Sequence, residues 1–72
     1  MPATTDQVQA VIDGTVPCPR DTDGLPELIA AATDVQRPLL RGRVFEQYGP
    51  YAGDLVWRRA EAASYTYRKR TA

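Results

Sequence analysis

Large apolar side chains are scarce in this chain. Leu, Ile, Val and Phe together number fourteen among 72 residues, whereas ten residues are Ala. Folding a chain of this size removes only about 60% of the unfolded surface from water, so the gain from apolar burial is small. We therefore expect one small domain over residues 1–72, with residues 1–4 and 69–72 frayed. We also expect a homo-oligomer, because a second copy would cover further apolar surface.

Six Pro and five Gly divide the chain into four segments. In the first segment, apolar spacing predicts a short helix over Asp6–Asp13, with Thr5 as its N-cap and Gly14 as its C-terminal stop. The alternation of apolar residues over Val8–Ile12 leaves an edge strand open as the alternative. Residues 15–24 are rich in Pro, Asp and Gly, which predicts a loop.

The second segment has the clearest helical pattern, over Leu25–Val35. Five apolar residues share one face at helical spacing: Leu25, Leu28, Ile29, Ala32 and Val35. Pro26 and Glu27 suit the first turn of this helix. Pro38 lacks a backbone N–H, so we expect it to break or kink the chain.

The third and fourth segments are separated by the Gly49-Pro50 pair. A helix is predicted from about residue 38 to 48, and another begins with Asp54 as a candidate N-cap. The predicted fold is therefore all-α, a small bundle of three to four short helices. An α+β fold with a small hairpin around residues 43–59 is the alternative, since 43–48 and 55–58 could pair as strands.

Several chemistries are excluded by composition. The chain has no His and a single Cys, Cys18, so it can form neither a Ser-His-Asp relay, nor a four-ligand zinc site, nor an internal disulfide. The Asp21–Gly24 run does not fit a calcium loop and predicts a turn. We expect a non-enzymatic protein without metal or cofactor. We also expect it in the cytoplasm, because a chain with a single Cys and no internal disulfide is typical of a reducing compartment. No signal sequence or membrane span is expected.

Net charge is zero, but the charges are segregated along the chain. Residues 1–34 contain six acids and one base, whereas residues 35–72 contain eight bases and three acids. All six aromatic residues also lie in the basic half: Phe45, Tyr48, Tyr51, Trp57, Tyr65 and Tyr67. Either the two halves neutralise each other, or one of them faces a partner.

Arg with aromatic residues is the combination that dominates protein interfaces. We therefore predict a small regulatory or interaction protein that binds a partner protein through its C-terminal half. The predicted partner-binding residues are Trp57, Arg58, Arg59, Tyr65, Arg68 and Arg70. A stripe of mostly small residues on the last helix is predicted to mediate self-association: Val56, Ala60, Ala63 and Tyr67.

Two other functions remain open at this stage. The same residue types bind nucleic acids, so the helix from Asp54 to Arg70 could belong to a nucleic-acid-binding regulator. Five net negative charges in the first half oppose this, because they weaken the attraction to phosphates. A structural subunit of a larger assembly, such as a virion, also fits the size. The Arg-rich, Asn-free composition is typical of a GC-rich genome, and we expect a bacterial or phage protein.

Overall fold

The structure, a computed structural model, describes residues 3–71 and the side chains of residues 3–67. Within that range the chain forms four helices and no strand: α1 (Thr5–Ile12), α2 (Leu25–Ala31), α3 (Gln36–Tyr48) and α4 (Pro50–Thr71). The predicted all-α bundle is confirmed. The edge strand over Val8–Ile12 and the hairpin around residues 43–59 are both wrong, because these residues are helical.

A reciprocal pair of hydrogen bonds begins α1. The backbone N–H of Gln7 donates to Thr4 Oγ1 (3.2 Å), and that of Thr4 donates to Gln7 Oε1 (2.9 Å). This capping box satisfies two donors that the helix itself leaves unpaired. The N-cap is therefore Thr4, one residue before the predicted Thr5. Gly14 follows the helix end at φ +81°, as its predicted role as a stop requires.

A reciprocal pair of hydrogen bonds forms the turn between α2 and α3. The side chains of Thr33 and Gln36 each accept from the other residue's backbone N–H, both at 3.1 Å. The chain is extended at Ala32, so α2 ends at Ala31 and does not reach the predicted Val35, which is 75% exposed. Pro38 neither breaks nor kinks a helix, since it lies in the first turn of α3, where a backbone N–H has no intrahelical partner.

A single glycine joins α3 to α4. Gly49 has φ +89°, which only glycine adopts readily, and Pro50 then occupies the first helical position. The helix thus begins four residues before the predicted cap, Asp54. Asp54 instead lies within α4, where its Oδ2 is 3.1 Å from Arg58 Nε.

The two longest helices pack closely against each other. A Cβ atom added at Gly53 would lie 3.0 Å from Phe45 Cα and 3.2 Å from the carbonyl oxygen of Val44. α2 also packs on α4, whereas α1 packs on α2 and α3. The core between them contains eleven apolar residues and one Cys: Val8, Val11, Cys18, Leu25, Leu28, Ile29, Ala32, Leu40, Val44, Val56, Trp57 and Ala60.

The predicted loop is held by side chains of α3. Gln47 bonds the backbone of Cys18 twice, accepting from its N–H and donating to its carbonyl oxygen, both at 2.8 Å. The Tyr48 hydroxyl donates to the same carbonyl oxygen at 2.8 Å. Arg43 donates from Nε to the carbonyl oxygen of Ile12 at 2.7 Å. The backbone groups of Cys18 are thereby paired although they belong to neither a helix nor a strand.

Candidate protein-binding surface

The long helix α4 has two faces of different character. Its inward face is buried against α2 and α3 and consists of Gly53, Val56, Trp57, Ala60 and Ser64. At 22 residues the helix is about 33 Å long, which equals the longest dimension of the molecule, 33 Å. α4 therefore presents its outward face along the full length of the bundle.

The outward face carries an ordered row of exposed residues. They are Tyr51, Leu55, Arg58, Ala62 and Tyr65, which we call the α4 stripe. Their spacing of four, three, four and three residues keeps them within an arc of about 80° on the helix surface. Tyr51 is 90% exposed, Tyr65 53% and Leu55 49%. The stripe is an apolar and aromatic surface with a guanidinium at its centre.

Basic residues dominate the charge of the same helix. α4 contains five bases and two acids. Arg58 pairs with Asp54, yet its side chain remains 76% exposed, so the pair is well solvated and contributes little to stability. Arg59 is exposed beside it. Among the described side chains of α4, these two bases are balanced by Asp54 and Glu61, and the excess of bases comes from the run Arg68-Lys69-Arg70.

The predicted partner-binding residues do not form one surface. Arg58, Arg59 and Tyr65 are exposed on α4, but Trp57 is only 5% exposed and belongs to the core. The side chains of Arg68 and Arg70 lie outside the described residues. Sequence reasoning missed Tyr51 because it precedes the predicted cap, Asp54. It missed Leu55 and Ala62 because it assigned the stripe of mostly small residues that includes Val56 and Ala60 to the surface. The 4-3-4-3 spacing from Tyr51 was the signal that could have found them.

The predicted self-association residues are divided between two environments. Val56 and Ala60 are buried in the core of their own chain, whereas Ala63 and Tyr67 are exposed further along α4. The structure thus brings only half of this set to the surface. Self-association through all four residues stays a prediction.

A groove runs beside the buried indole of Trp57, between α3 and α4. It has a volume of about 440 Å³, and its lining includes three bases and three acids: Arg37, Arg41, Arg58, Asp34, Asp54 and Glu61. Arg37 pairs with Asp34 at 2.9 Å, and Arg41 stacks over the Phe45 ring at 4.6 Å from its centroid. The formal charges of these six side chains sum to zero.

Cys18 has the environment of a structural residue. It is buried, and this burial raises the pKa of its thiol from 9.0 to about 11. Burial also raises the pKa of the neighbouring Tyr48 phenol. Since the thiolate is the nucleophilic form, the thiol has low reactivity at neutral pH.

Two further features bear on chemistry. Residues 21–24 form the predicted turn, in which Asp23 and Leu25 donate from their N–H groups to the carbonyl oxygen of Arg20.

Among the described residues, no group of three or more His, Cys, Asp or Glu could hold a metal ion. Over the same range, no helix is long and apolar enough to cross a membrane.

Three comparisons complete the description of the chain: no family model, no curated protein and no solved structure matches it.

Proposed function

We propose that this chain is a non-enzymatic regulatory or interaction protein that binds a partner protein through the α4 stripe. The observation that carries the proposal is the alignment of Tyr51, Leu55, Ala62 and Tyr65 on the face of α4 opposite its core face. Single exposed apolar residues are normal on protein surfaces. A row of them on one helix face, with an arginine at its centre, has the composition of an interface.

The stripe can supply binding energy because it is not used in the core. Full burial of a Leu side chain contributes about 1.5–3 kcal/mol, and Leu55 is half exposed in the free protein. Tyr51 retains almost its whole surface for contact with a partner. Tyrosine loses little rotamer freedom when it is buried, which favours it as an anchor residue.

The charge of α4 defines the chemistry of the partner. A helix that presents an apolar row with an arginine at its centre, followed in sequence by a run of three bases, fits an apolar groove with acidic residues beside it. Arg59 lies beside the stripe, and the basic run Arg68-Lys69-Arg70 follows it in sequence. We infer that the partner surface carries Asp or Glu next to its apolar groove.

A protein partner is favoured over nucleic acid for two reasons. The five net negative charges of residues 1–34 oppose the approach of a phosphate backbone. Leu55, which is half exposed on the stripe, is an anchor for an apolar groove and has no ring to stack on a base.

Site-specific cross-linking tests the proposal. Leu55 is replaced by p-benzoylphenylalanine, and Glu46, an exposed residue of α3, is replaced in the same way as a matched control. After irradiation in a lysate of the source cells, we expect a discrete protein adduct at position 55, resistant to nuclease, and none at position 46. The adduct should weaken at least fivefold when Tyr51→Ala is added.

The identified partner is then purified and its affinity measured. Leu55→Asp should weaken binding at least tenfold, because it places a charge in an apolar contact, whereas Glu46→Gln should leave the affinity unchanged. Equal adducts at both positions, or an unchanged affinity of Leu55→Asp, would contradict the proposal. Loss of the adduct on nuclease treatment would favour the nucleic-acid-binding alternative instead.

A further inference from the structure

A second concave surface lies between α1, the loop that joins α1 to α2, and the start of α2. This acidic cleft has a volume of about 490 Å³. Its walls include the apolar residues Val11, Val16, Pro17 and Leu28, and its only charged lining residues are Asp23 and Glu27. None of the described residues of α4 lines it. The cleft is thus separate from the α4 stripe.

Glu27, which lines the cleft, has one carboxylate oxygen that lacks a hydrogen-bond partner among the described residues. This oxygen, Oε2, is buried. A buried carboxylate oxygen without a donor is unfavourable, and this cost is removed if the Glu27 side chain rotates outward to accept from a donor in the cleft. Because the walls of the cleft are apolar, such a donor fits best at the end of an aliphatic side chain. The side chains of Arg and Lys meet both conditions, because they bury their methylene groups and end in a cation.

The chain contains a segment of matching chemistry. Arg68, Lys69 and Arg70 are consecutive bases, and they belong to the half of the chain that carries five net positive charges. The cleft belongs to the half that carries five net negative charges. α4 is a continuous helix to Thr71, so this segment does not fold back onto the cleft of its own chain.

We propose that the acidic cleft binds the basic segment 68–70 of a second copy of this chain. One of its cationic side chains enters between the apolar walls and donates to Glu27, while Asp23 attracts its neighbours. The contact joins two different surfaces, the cleft of one copy and the basic segment of another. Two copies can therefore exchange segments in a closed dimer, or many copies can bind head to tail in a chain. Self-association then uses charge complementarity and leaves the α4 stripe open to a partner protein.

Sedimentation of charge variants tests this arrangement. The cleft variant is Asp23→Asn with Glu27→Gln, and the tail variant is Arg68→Gln, Lys69→Gln and Arg70→Gln. We expect wild type to associate in 50 mM salt and to dissociate as salt is raised, because exposed charges are screened. Each variant alone should associate at least tenfold more weakly. A mixture of the two should recover a 1:1 complex, since one copy keeps its cleft and the other its tail.

A control separates the cleft from general charge effects. Asp6→Asn with Asp13→Asn removes the same two charges from exposed residues that do not line the cleft. This control should associate like wild type. Circular dichroism of every variant should show wild-type helix content, which establishes that the altered association is not a loss of folding.

A peptide of residues 65–71 provides a second measurement. Added to the tail variant, it should shift the NMR signals of Val11, Val16 and Leu28 and leave those of Leu55 unchanged. The proposal is overturned if wild type stays monomeric in 50 mM salt, if the mixture of variants does not associate, or if the control variant weakens association equally. Peptide shifts at Leu55 alone would likewise overturn it, and would place the self-contact on the α4 stripe.

Discussion

The loop between α1 and α2 and the outward face of α4 differ in how far their apolar residues are buried. In the loop, Cys18 is buried and its backbone is bonded by Gln47 and Tyr48. On α4, Tyr51 and Leu55 are exposed although they belong to the longest helix. An irregular segment is thus part of the folded core, whereas one face of a regular helix contributes little to it. Secondary structure alone therefore does not show which residues belong to the core.

The largest effect on stability should come from the indole of Trp57. Trp57→Ala leaves a cavity between α4 and the rest of the core, at a cost of about 3–5 kcal/mol. This is a large part of the total stability of a small domain, so we expect an unfolded or partly folded chain. Circular dichroism and urea denaturation measure it. A variant as stable as wild type would contradict the inward placement of this side chain.

The next largest effect should come from the support of the loop. Gln47→Ala removes both hydrogen bonds to the backbone of Cys18 and should destabilise the protein by about 1–3 kcal/mol. Tyr48→Phe removes one bond to the same carbonyl oxygen and should cost less, about 1 kcal/mol. Urea denaturation compares the two. Equal stability of Gln47→Ala and wild type would show that the loop is not held by these bonds.

Two glycines test where α3 and α4 touch. Gly53→Ala places a methyl group 3.0 Å from Phe45 Cα and should destabilise by about 1 kcal/mol or more. Gly42→Ala, in the exposed middle of α3 with nothing within 4 Å, should instead stabilise by about 0.5–1 kcal/mol. The opposite signs are the result to look for in thermal denaturation. A gain from Gly53→Ala would contradict the close helix crossing.

Cys18 gives a pH dependence of definite sign. The pKa of its thiol is about 11 in the folded protein, above the value of 9.0 for an unperturbed thiol. From pH 9 to 11 the unfolded chain therefore loses this proton first, and folding stability falls as the pH rises. Cys18→Ala should remove this part of the dependence, leaving that of the other titrating groups. If the free energy of unfolding falls equally steeply with pH in wild type and in Cys18→Ala over this range, the burial of the thiol is contradicted.

Local patterns predicted most of the fold. Gly14, Gly49 and the apolar spacing of Leu25, Leu28 and Ile29 marked helix ends and an inward face that the structure confirms. The boundary at Ala32 was missed because it depends on a polar pair. The reciprocal hydrogen bonds of Thr33 and Gln36 form the turn between the two helices, although apolar spacing alone continues to Val35.

The candidate surface was harder to predict than the fold. Both faces of α4 contain apolar and aromatic residues, so composition does not show which face is covered. Gly53 lies where α4 approaches α3 closely, Trp57 is buried on the same face, and Tyr51 is exposed on the opposite one. The acidic cleft also depends on contacts between distant segments, from α1 to the start of α2.

The α4 stripe should be dispensable for folding and required for binding, and the double variant Tyr51→Ala with Leu55→Ala measures both properties. Its free energy of unfolding should lie within about 1 kcal/mol of wild type, because exposed substitutions each change stability by about 0.5 kcal/mol or less. Its affinity for the partner protein identified by cross-linking at position 55 should fall at least tenfold. A loss of stability above about 2 kcal/mol, or an affinity equal to that of wild type, would contradict the assignment of this face to partner binding.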